Sequence, residues 1–472
     1  MSLVILANGV LLLGMSVLMA LIAALFADTR EVFLDAALLS GLVGGLVALA
    51  VANRKDAFRL VHSFLLTSSI WVCGAAAGAL PLWLWGLVPV DAFFEAMSGI
   101  TTTGSTVMTG LDDTPKGLLL WRAILQWLGG IGFIVAGIAV LPILRVGGMQ
   151  LFRTESSERG EKEMATAARF ASATFWVYLV LTVICLVVYR AGGMTRFEAL
   201  VHALTTLSTG GYSTSDASFG QFDSAFLQWA GTFFMLAGAV PFAWYIRMLT
   251  GKGLQNEQVR ALLILFAVSI AGLTAWRVWT SAAGVEESLR QVAFNVVSVV
   301  TTTGYATTDY TTWGPFAAAA FLMLTALGGC SGSTSGGAKM MRWIVFFRVT
   351  RQRLARIRHP SLVRVTRYDG RIVQDDVGTG VAVFFVLYGT TILALAMALD
   401  LYGLDLTTSF SGALTAVANV GPGIGDVIGP AGTFQSLPEG AKWLLCFGMF
   451  AGRLEMMTVF VLFSGAFWRE AL

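Results

Sequence analysis

The feature that most restricts this chain is a series of apolar runs about twenty residues long, recurring from one end to the other. "SLVILANGVLLLGMSVLMALIAALF" (Ser2–Phe26) and "FLDAALLSGLVGGLVALAVA" (Phe33–Ala52) are the first two. A helix of ~20 such residues crosses a hydrocarbon core of roughly 30 Å while satisfying its own backbone. Charged residues make up 12% of the sequence and hydrophobic ones 56%, with a mean hydropathy of +0.75. A soluble domain carries about 25% charged residues, so a water-soluble globule is excluded. The first run is too long for the core of a signal peptide, and no positive segment precedes it. The expected fold class is an all-α polytopic membrane protein.

Cys73, Cys185, Cys330 and Cys446 are far apart, and His62, His202 and His359 are isolated. Neither a disulfide framework nor a transition-metal site is indicated. A Walker A sequence is missing, as is a glycine fingerprint set between a strand and a helix, so nucleotide-driven chemistry within the chain is not expected. With no catalytic constellation either, the reading is of a non-enzyme without a cofactor of its own.

Lys and Arg are concentrated in a few stretches. "NRKDAFR" (Asn53–Arg59) and "RMLTGKGLQNEQVR" (Arg247–Arg260) are basic, Arg145–Arg169 mixes both signs, and Arg342–Arg371 carries nine arginines. Basic loops stay cytoplasmic, which predicts these four stretches and both termini inside, with the Asp-bearing loops outside. The nine-arginine stretch reads equally as an inside anchor and as a docking surface for a partner. Cutting at these loops leaves an N-terminal transmembrane hairpin (1–57) and four similar units at 58–150, 170–252, 258–348 and 376–472, with a basic cytoplasmic connector at 349–375. Each unit reads as apolar helix, short amphipathic run, Thr/Gly hinge, Asp-bearing loop and second apolar helix. About ten transmembrane helices result, in a repeat architecture.

The hinges follow "VDAFFEAMSGI", "TRFEALVHALTTL", "ESLRQVAFNVVSVV" and "DLTTSFSGALTAVA", all too short to span a bilayer. Both ends of each unit lie inside, so these middle segments must enter and return. Non-helical backbone at that depth survives only where protein buries it or water lines it, which four re-entrant loops around one axis provide. Glycine admits the φ values that turn successive carbonyls toward a common axis. A ring of such carbonyls can replace the hydration shell of a monovalent cation. Asp112, Asp113, Asp216, Asp309 and Asp426 follow the hinges and are expected at an outer mouth, concentrating cations.

"TTTGSTV", "STGGYST", "TTTGYAT" and "NVGPGIG" resemble the four filter sequences of the Trk/Ktr/HKT superfamily of potassium transporters. The extra N-terminal hairpin points to its TrkH/TrkG branch. The resemblance implies four M1–P–M2 repeats around one pseudo-fourfold pore. It implies K+ held by backbone carbonyls at Thr102–Thr103–Gly104, Ser208–Thr209–Gly210, Thr302–Thr303–Gly304 and Asn419–Val420–Gly421. The fourth copy departs from the threonine pattern, so the symmetry is imperfect. A Na+-permeable member of the same family and a re-entrant-loop carrier for another polar solute are the competing readings; glycine at Gly104, where some sodium-admitting members carry serine, favours potassium.

Two further features lie in second helices. "LGGCSGSTSGGAK" (Leu327–Lys339) places Gly328, Gly329, Ser331, Gly332, Ser333, Thr334, Ser335, Gly336 and Gly337 where a spanning helix is due. At roughly 1 kcal/mol per interior glycine the helix should unwind there. In the family the matching segment is an intramembrane loop that obstructs the pore, and a matching arginine, here Arg453, projects below the filter as an electrostatic barrier. Lys339 either shares that role or snorkels to the cytoplasmic surface. Glu95 and Glu198 read as structural. The resemblance also implies a homodimer in the bacterial inner membrane, docked through its basic loops on a cytosolic TrkA-type nucleotide-binding ring. Nucleotide would sit on that partner only, and no nucleic acid is expected.

Overall fold

The computed structural model describes the chain apart from residues 55–58, 140–160, 252–254, 282, 362–364 and 472. Most of the mixed-charge stretch 145–169 lies outside the described residues, as do Lys55, Lys252 and Arg364 of the basic stretches. The fold is almost wholly helical. Helices α1 (Ser2–Leu25) and α2 (Arg30–Val51) form a hairpin whose small residues bring the backbones together. A Cβ on Gly9 would lie 2.9 Å from the Ala48 nitrogen, and one on Gly44 3.0 Å from the Leu13 nitrogen. Ser16 Oγ donates to the Ala37 carbonyl at 2.7 Å and Ser40 Oγ to that of Leu12 at 2.9 Å. Close approach plus interhelical hydrogen bonds is how helices hold together where lipid removes any hydrophobic drive.

Four units of similar build follow. In the first, α3 (Leu60–Trp85) leads to the short α4 (Pro89–Ile100), a hinge, and α5 (Lys116–Ala139). The second runs α6 (Glu161–Ala191), α7 (Arg196–Leu207), then α8 (Ala225–Ala239) and α9 (Phe242–Leu249), the last two bent by 91°. The third has α10 (Glu257–Thr280), α11 (Val285–Val300), α12 (Pro315–Thr325) and α13 (Met340–Arg358). The fourth has α14 (Asp375–Asp400), α15 (Leu406–Ala418), α16 (Glu439–Arg453) and α17 (Met457–Phe460), with a bend of 109° before α17, and α18 (Gly465–Ala471) closes the chain. Between α13 and α14, β1 (Arg367–Tyr368) and β2 (Arg371–Ile372) pair as a two-stranded antiparallel ribbon.

Seven described helices are long and apolar enough to cross a bilayer, and the two bent pairs raise the total to nine. The tenth place expected from the sequence falls on α12 and α13, which the residues between them interrupt. The four short helices have 12, 12, 16 and 13 residues. Even the longest covers only about 24 Å at 1.5 Å per residue. Their starts are explained locally: Pro89 opens α4, a capping box of Thr195 with Glu198 opens α7, and Asp405 accepts the Thr408 N–H at 3.1 Å to open α15.

Leu38, Leu42, Leu46 and Leu49 form an exposed stripe on α2, as a lipid-facing helix requires. Inside, Phe219, Phe234, Phe294 and Phe321 join the second and third units in one cluster. Trp71, Phe94, Phe384 and Met449 join the first and fourth in another. The hinges meet where these clusters adjoin.

Candidate functional site

All four short helices end in the same backbone device. Thr102, Thr209, Thr302 and Asn419 have φ of 54°, 50°, 60° and 56°. The next residue's N–H bonds a carbonyl five residues back: Thr103 to Ser98, Gly210 to Thr205, Thr303 to Ser298, and Val420 to Thr415, at 2.8–3.1 Å. Gly104, Gly211, Gly304 and Gly421 follow with φ of 85°, 77°, 81° and 111°. A left-handed threonine costs roughly 1–2 kcal/mol, and such strain persists where the surroundings over-determine it.

This pattern corrects the register of the second hinge. The set equivalent to Thr102–Thr103–Gly104 is Thr209–Gly210–Gly211, one residue later than Ser208–Thr209–Gly210. Ser208 is a right-handed residue closing α7, with φ of −75°. Both adjacent glycines tolerate the required φ, so the sequence does not separate them; in the structure Gly211 takes the positive φ and the hydrogen bonds agree.

The hinges close into a ring. A Cβ built on Gly104 would overlap the Gly210 carbonyl oxygen, one on Gly211 that of Thr303, and one on Gly304 that of Val420. One on Gly421 would lie 2.9 Å from the Thr103 oxygen, which completes the circuit. Four carbonyl oxygens therefore sit at the seams between successive hinges, each against a glycine that a side chain could not replace. Thr101 and Thr103 hydroxyls are 2.7 Å apart, those of Thr301 and Thr303 2.8 Å, and Asn419 Nδ2 donates to Thr103 Oγ1 at 3.0 Å. The fourth hinge has Ala418 and Val420 where the first has Thr101 and Thr103, and its Asn419 amide bonds across to the first hinge instead. Such an uncharged oxygen ring can coordinate a dehydrated monovalent cation.

On one side of the ring a cavity of about 70 Å³ is lined by the four glycines, Ser105, Arg122, Tyr212 and Asp216. Of the five aspartates expected at a mouth, Asp216 alone lines it. Its carboxylate accepts the Gly110 N–H at 2.7 Å and the Leu111 N–H at 3.1 Å, so it also pins a neighbouring loop. Asp309 accepts the Thr311 N–H of its own turn at 2.9 Å. Asp112, Asp113 and Asp426 are exposed and do not line the cavity. Loop position after a hinge does not by itself dictate where a side chain points.

Glu95, on α4, has a fully structural setting. It accepts from the Val107 N–H at 2.9 Å, from Thr106 Oγ1 at 3.0 Å and from Arg122 Nε at 2.8 Å. Arg122 stacks over the Tyr212 ring at 4.0 Å and donates to the Ser213 carbonyl at 3.3 Å, so the buried pair ties the first hinge to the second. Glu198 serves its own helix start.

On the other side of the ring, residues 326–339 are non-helical and nearly all buried. Gly328, Gly332, Gly337 and Lys339 take φ of 81°, 81°, 73° and 67°. Gly329 accepts at its carbonyl from the Met340 N–H at 2.9 Å. Thr334 Oγ1 donates to the Leu207 and Gly238 carbonyls at 3.1 and 2.9 Å, and the Gly336 N–H donates to Thr302 Oγ1 at 2.7 Å. The Ser331 N–H meets Gln258 Oε1 at 2.8 Å, and Ser333 Oγ bonds the Cys330 carbonyl at 2.7 Å. Ser331 Oγ and Ser335 Oγ have no hydrogen-bond partner among the described residues. The segment thus lies directly against the left-handed threonines of two hinges, and a Cβ on Gly336 would be 2.6 Å from the Ala418 carbonyl beside a third.

Arg453 is buried here and reaches this segment: it donates to the Thr334 carbonyl at 2.9 Å and to that of Gly129 at 3.4 Å, over the Phe133 ring at 4.1 Å. Its neighbour Glu455 pairs with Arg342 instead. Lys339 does not snorkel; it is 2% exposed, with Nζ 4.0 Å from the Phe133 ring centroid. Arg122 and Gln126 escaped the sequence reading, yet Arg122 is an ionisable residue within the apolar run "LLLWRAILQWLGG", a functional signal by default, with Gln126 one turn on; Arg342, read as part of the basic stretch, is instead buried.

Known proteins resemble the chain over nearly its whole length. The family described as "TrkH: Cation transport protein" matches residues 29–470. The Trk system potassium uptake protein TrkI of Halomonas elongata is 50% identical over 413 residues, 86% of this chain and 84% of that protein. The Trk system potassium uptake protein TrkH of the same organism is 38% identical over 98% of both. The crystal structure of the potassium transporter TrkH from Vibrio parahaemolyticus superposes with a TM-score of 0.90 at 30% identity, covering 99% of this chain and 100% of that one.

Proposed function

Because the chain belongs to the TrkH family of cation transport proteins, we propose that it takes up potassium, conducting K+ through the oxygens of Thr103, Gly210, Thr303 and Val420. The observation that carries this reading is the closed circuit of four hinges, each glycine seated on the next carbonyl. An alkali ion there exchanges water oxygens for fixed backbone dipoles, with no covalent chemistry.

The buried segment 327–339, with Lys339 and Arg453, obstructs the pathway on the cytoplasmic side of the bacterial inner membrane. A cytosolic nucleotide-binding ring controls it, and two chains assemble as a homodimer. Arg351, Arg353, Arg356 and Arg358 are exposed on α13 and offer that ring a basic face.

Expression in a K+-uptake-deficient bacterium tests the reading. Growth at low K+ should be rescued, and Gly104→Ser, whose Cβ would overlap the Gly210 carbonyl, should abolish it. Failure of the unaltered chain to rescue growth while it admits Na+ would reassign the ion.

A further inference from the structure

The four hinges are not held alike. In three, the ring carbonyl belongs to a peptide with a side chain on one side: Thr103–Gly104, Thr303–Gly304 and Val420–Gly421. In the second it belongs to Gly210–Gly211, glycine on both sides. That peptide is the easiest of the four to rotate, so its oxygen is the least fixed by its own chain.

It is also the one ring oxygen that receives a side-chain hydrogen bond among the described residues. Gln126, fully buried on α5, donates Nε2 to the Gly210 carbonyl at 2.6 Å and accepts the Tyr212 N–H on Oε1 at 3.1 Å. A single amide brackets Gly210–Gly211–Tyr212. The contact also explains the double glycine. Gly210 does not have positive φ, but a Cβ there would lie 2.5 Å from Gln126 Oε1 and 2.8 Å from Nε2. Gly211 is glycine for conformation and Gly210 for space.

We propose that Gln126 is a positioning residue of the ion site: it pins the Gly210 carbonyl in the ring, and the preference for K+ over Na+ depends on that pin. The proposal rests on the cation-conducting reading of the ring. A carbonyl has two acceptor positions, so the amide occupies one and leaves the other for the ion. Whether selectivity comes from ring size or from dipole strength, both require this oxygen to stay in place. The pin crosses units, since α5 belongs to the first and Gly210 to the second. Arg122, one turn earlier on the same face of α5, holds Ser213 in the same way.

Purified full-length chain in liposomes is assayed for K+ and Na+ uptake, beside Gln126→Leu and Gln126→Glu. The leucine keeps the volume but removes both the donor to Gly210 and the acceptor for Tyr212, while a protonated glutamate can restore the donor through its O–H. Loss of the Gly210 hydrogen bond, about 1 kcal/mol, should lower the K+/Na+ uptake ratio roughly fivefold in Gln126→Leu, at unaltered yield of folded protein. Gly210→Thr should fail to fold, and adding Gln126→Ala should restore folded protein, since a merely local glycine requirement would not respond to residue 126. An unchanged ratio in Gln126→Leu overturns the proposal while leaving K+ conduction intact. Absence of cation uptake by the unaltered chain overturns the conduction reading itself.

Discussion

Helix α5 and the interrupted segment between α12 and α13 occupy corresponding places in two units, and both press glycine against a helix end. In α5 the helix is unbroken. A Cβ on Gly129 would overlap the Ile100 carbonyl, and one on Gly130 would be 3.0 Å from Ser208 Cβ, so these glycines serve close approach. Gly238 and Gly452 take the same place in the second and fourth units, against the Leu207 and Val417 carbonyls. In the third unit, Gly328, Gly332 and Gly337 take positive φ, Gly328 and Gly337 also packing against each other's backbone, and the helix is lost. Helix α5 carries five glycines and stays helical, so glycine number alone does not break a helix; in the third unit five glycines fall within ten residues with four Ser/Thr between them, whose side chains compete for the backbone. The same residue type gives an unbroken helix in one unit and a buried non-helical segment against the hinges in another.

Three substitutions break or sharpen that contrast. The largest effect belongs to Gly129→Val, whose added carbons run into backbone that cannot give way. It should cost more than about 3 kcal/mol and abolish monodisperse protein in size-exclusion chromatography; a well-folded variant would mean α5 can move away from Ile100.

An intermediate effect is expected of Arg453→Gln, because this side chain bonds both the Gly129 carbonyl of α5 and the Thr334 carbonyl of the loop. Removing a charged donor worth ~1.5–3 kcal/mol frees the loop, so K+ uptake without any partner should rise at least several-fold. Unchanged or lower uptake would show that Arg453 does not restrain the loop.

The smallest belongs to Gly332→Ala. Its φ is 81°, but the nearest atom to a Cβ is that of Pro241 at 3.8 Å. Only the left-handed penalty of ~1 kcal/mol applies, which should lower the melting temperature by about one degree and leave uptake near normal. A collapse like that of Gly129→Val would erase the distinction between glycine for space and glycine for conformation.

Much of this was legible beforehand. Apolar runs specified the spanning helices, since only a helix satisfies backbone in hydrocarbon. The short segments before Gly104, Gly304 and Gly421 specified re-entry by length alone, and the glycines and hydroxyls of Leu327–Lys339 specified a break. The second hinge was misplaced by one residue because Gly210 and Gly211 are equally permissive. Of the five aspartates only Asp216 lines the cavity beside the ring, because a loop's position in the sequence does not fix where its side chains turn.

What the chain's order of residues determined by itself is therefore everything governed by neighbours a few positions apart: helix length, helix ends, and where the backbone must turn. What only the tertiary structure decided is how distant segments meet, such as Gln126 with Gly210, 84 residues apart, or Arg453 with Thr334, 119 apart. Hydrogen bonds within a turn follow from local geometry. The seams of the ring exist only once four separate hinges have been packed around one axis.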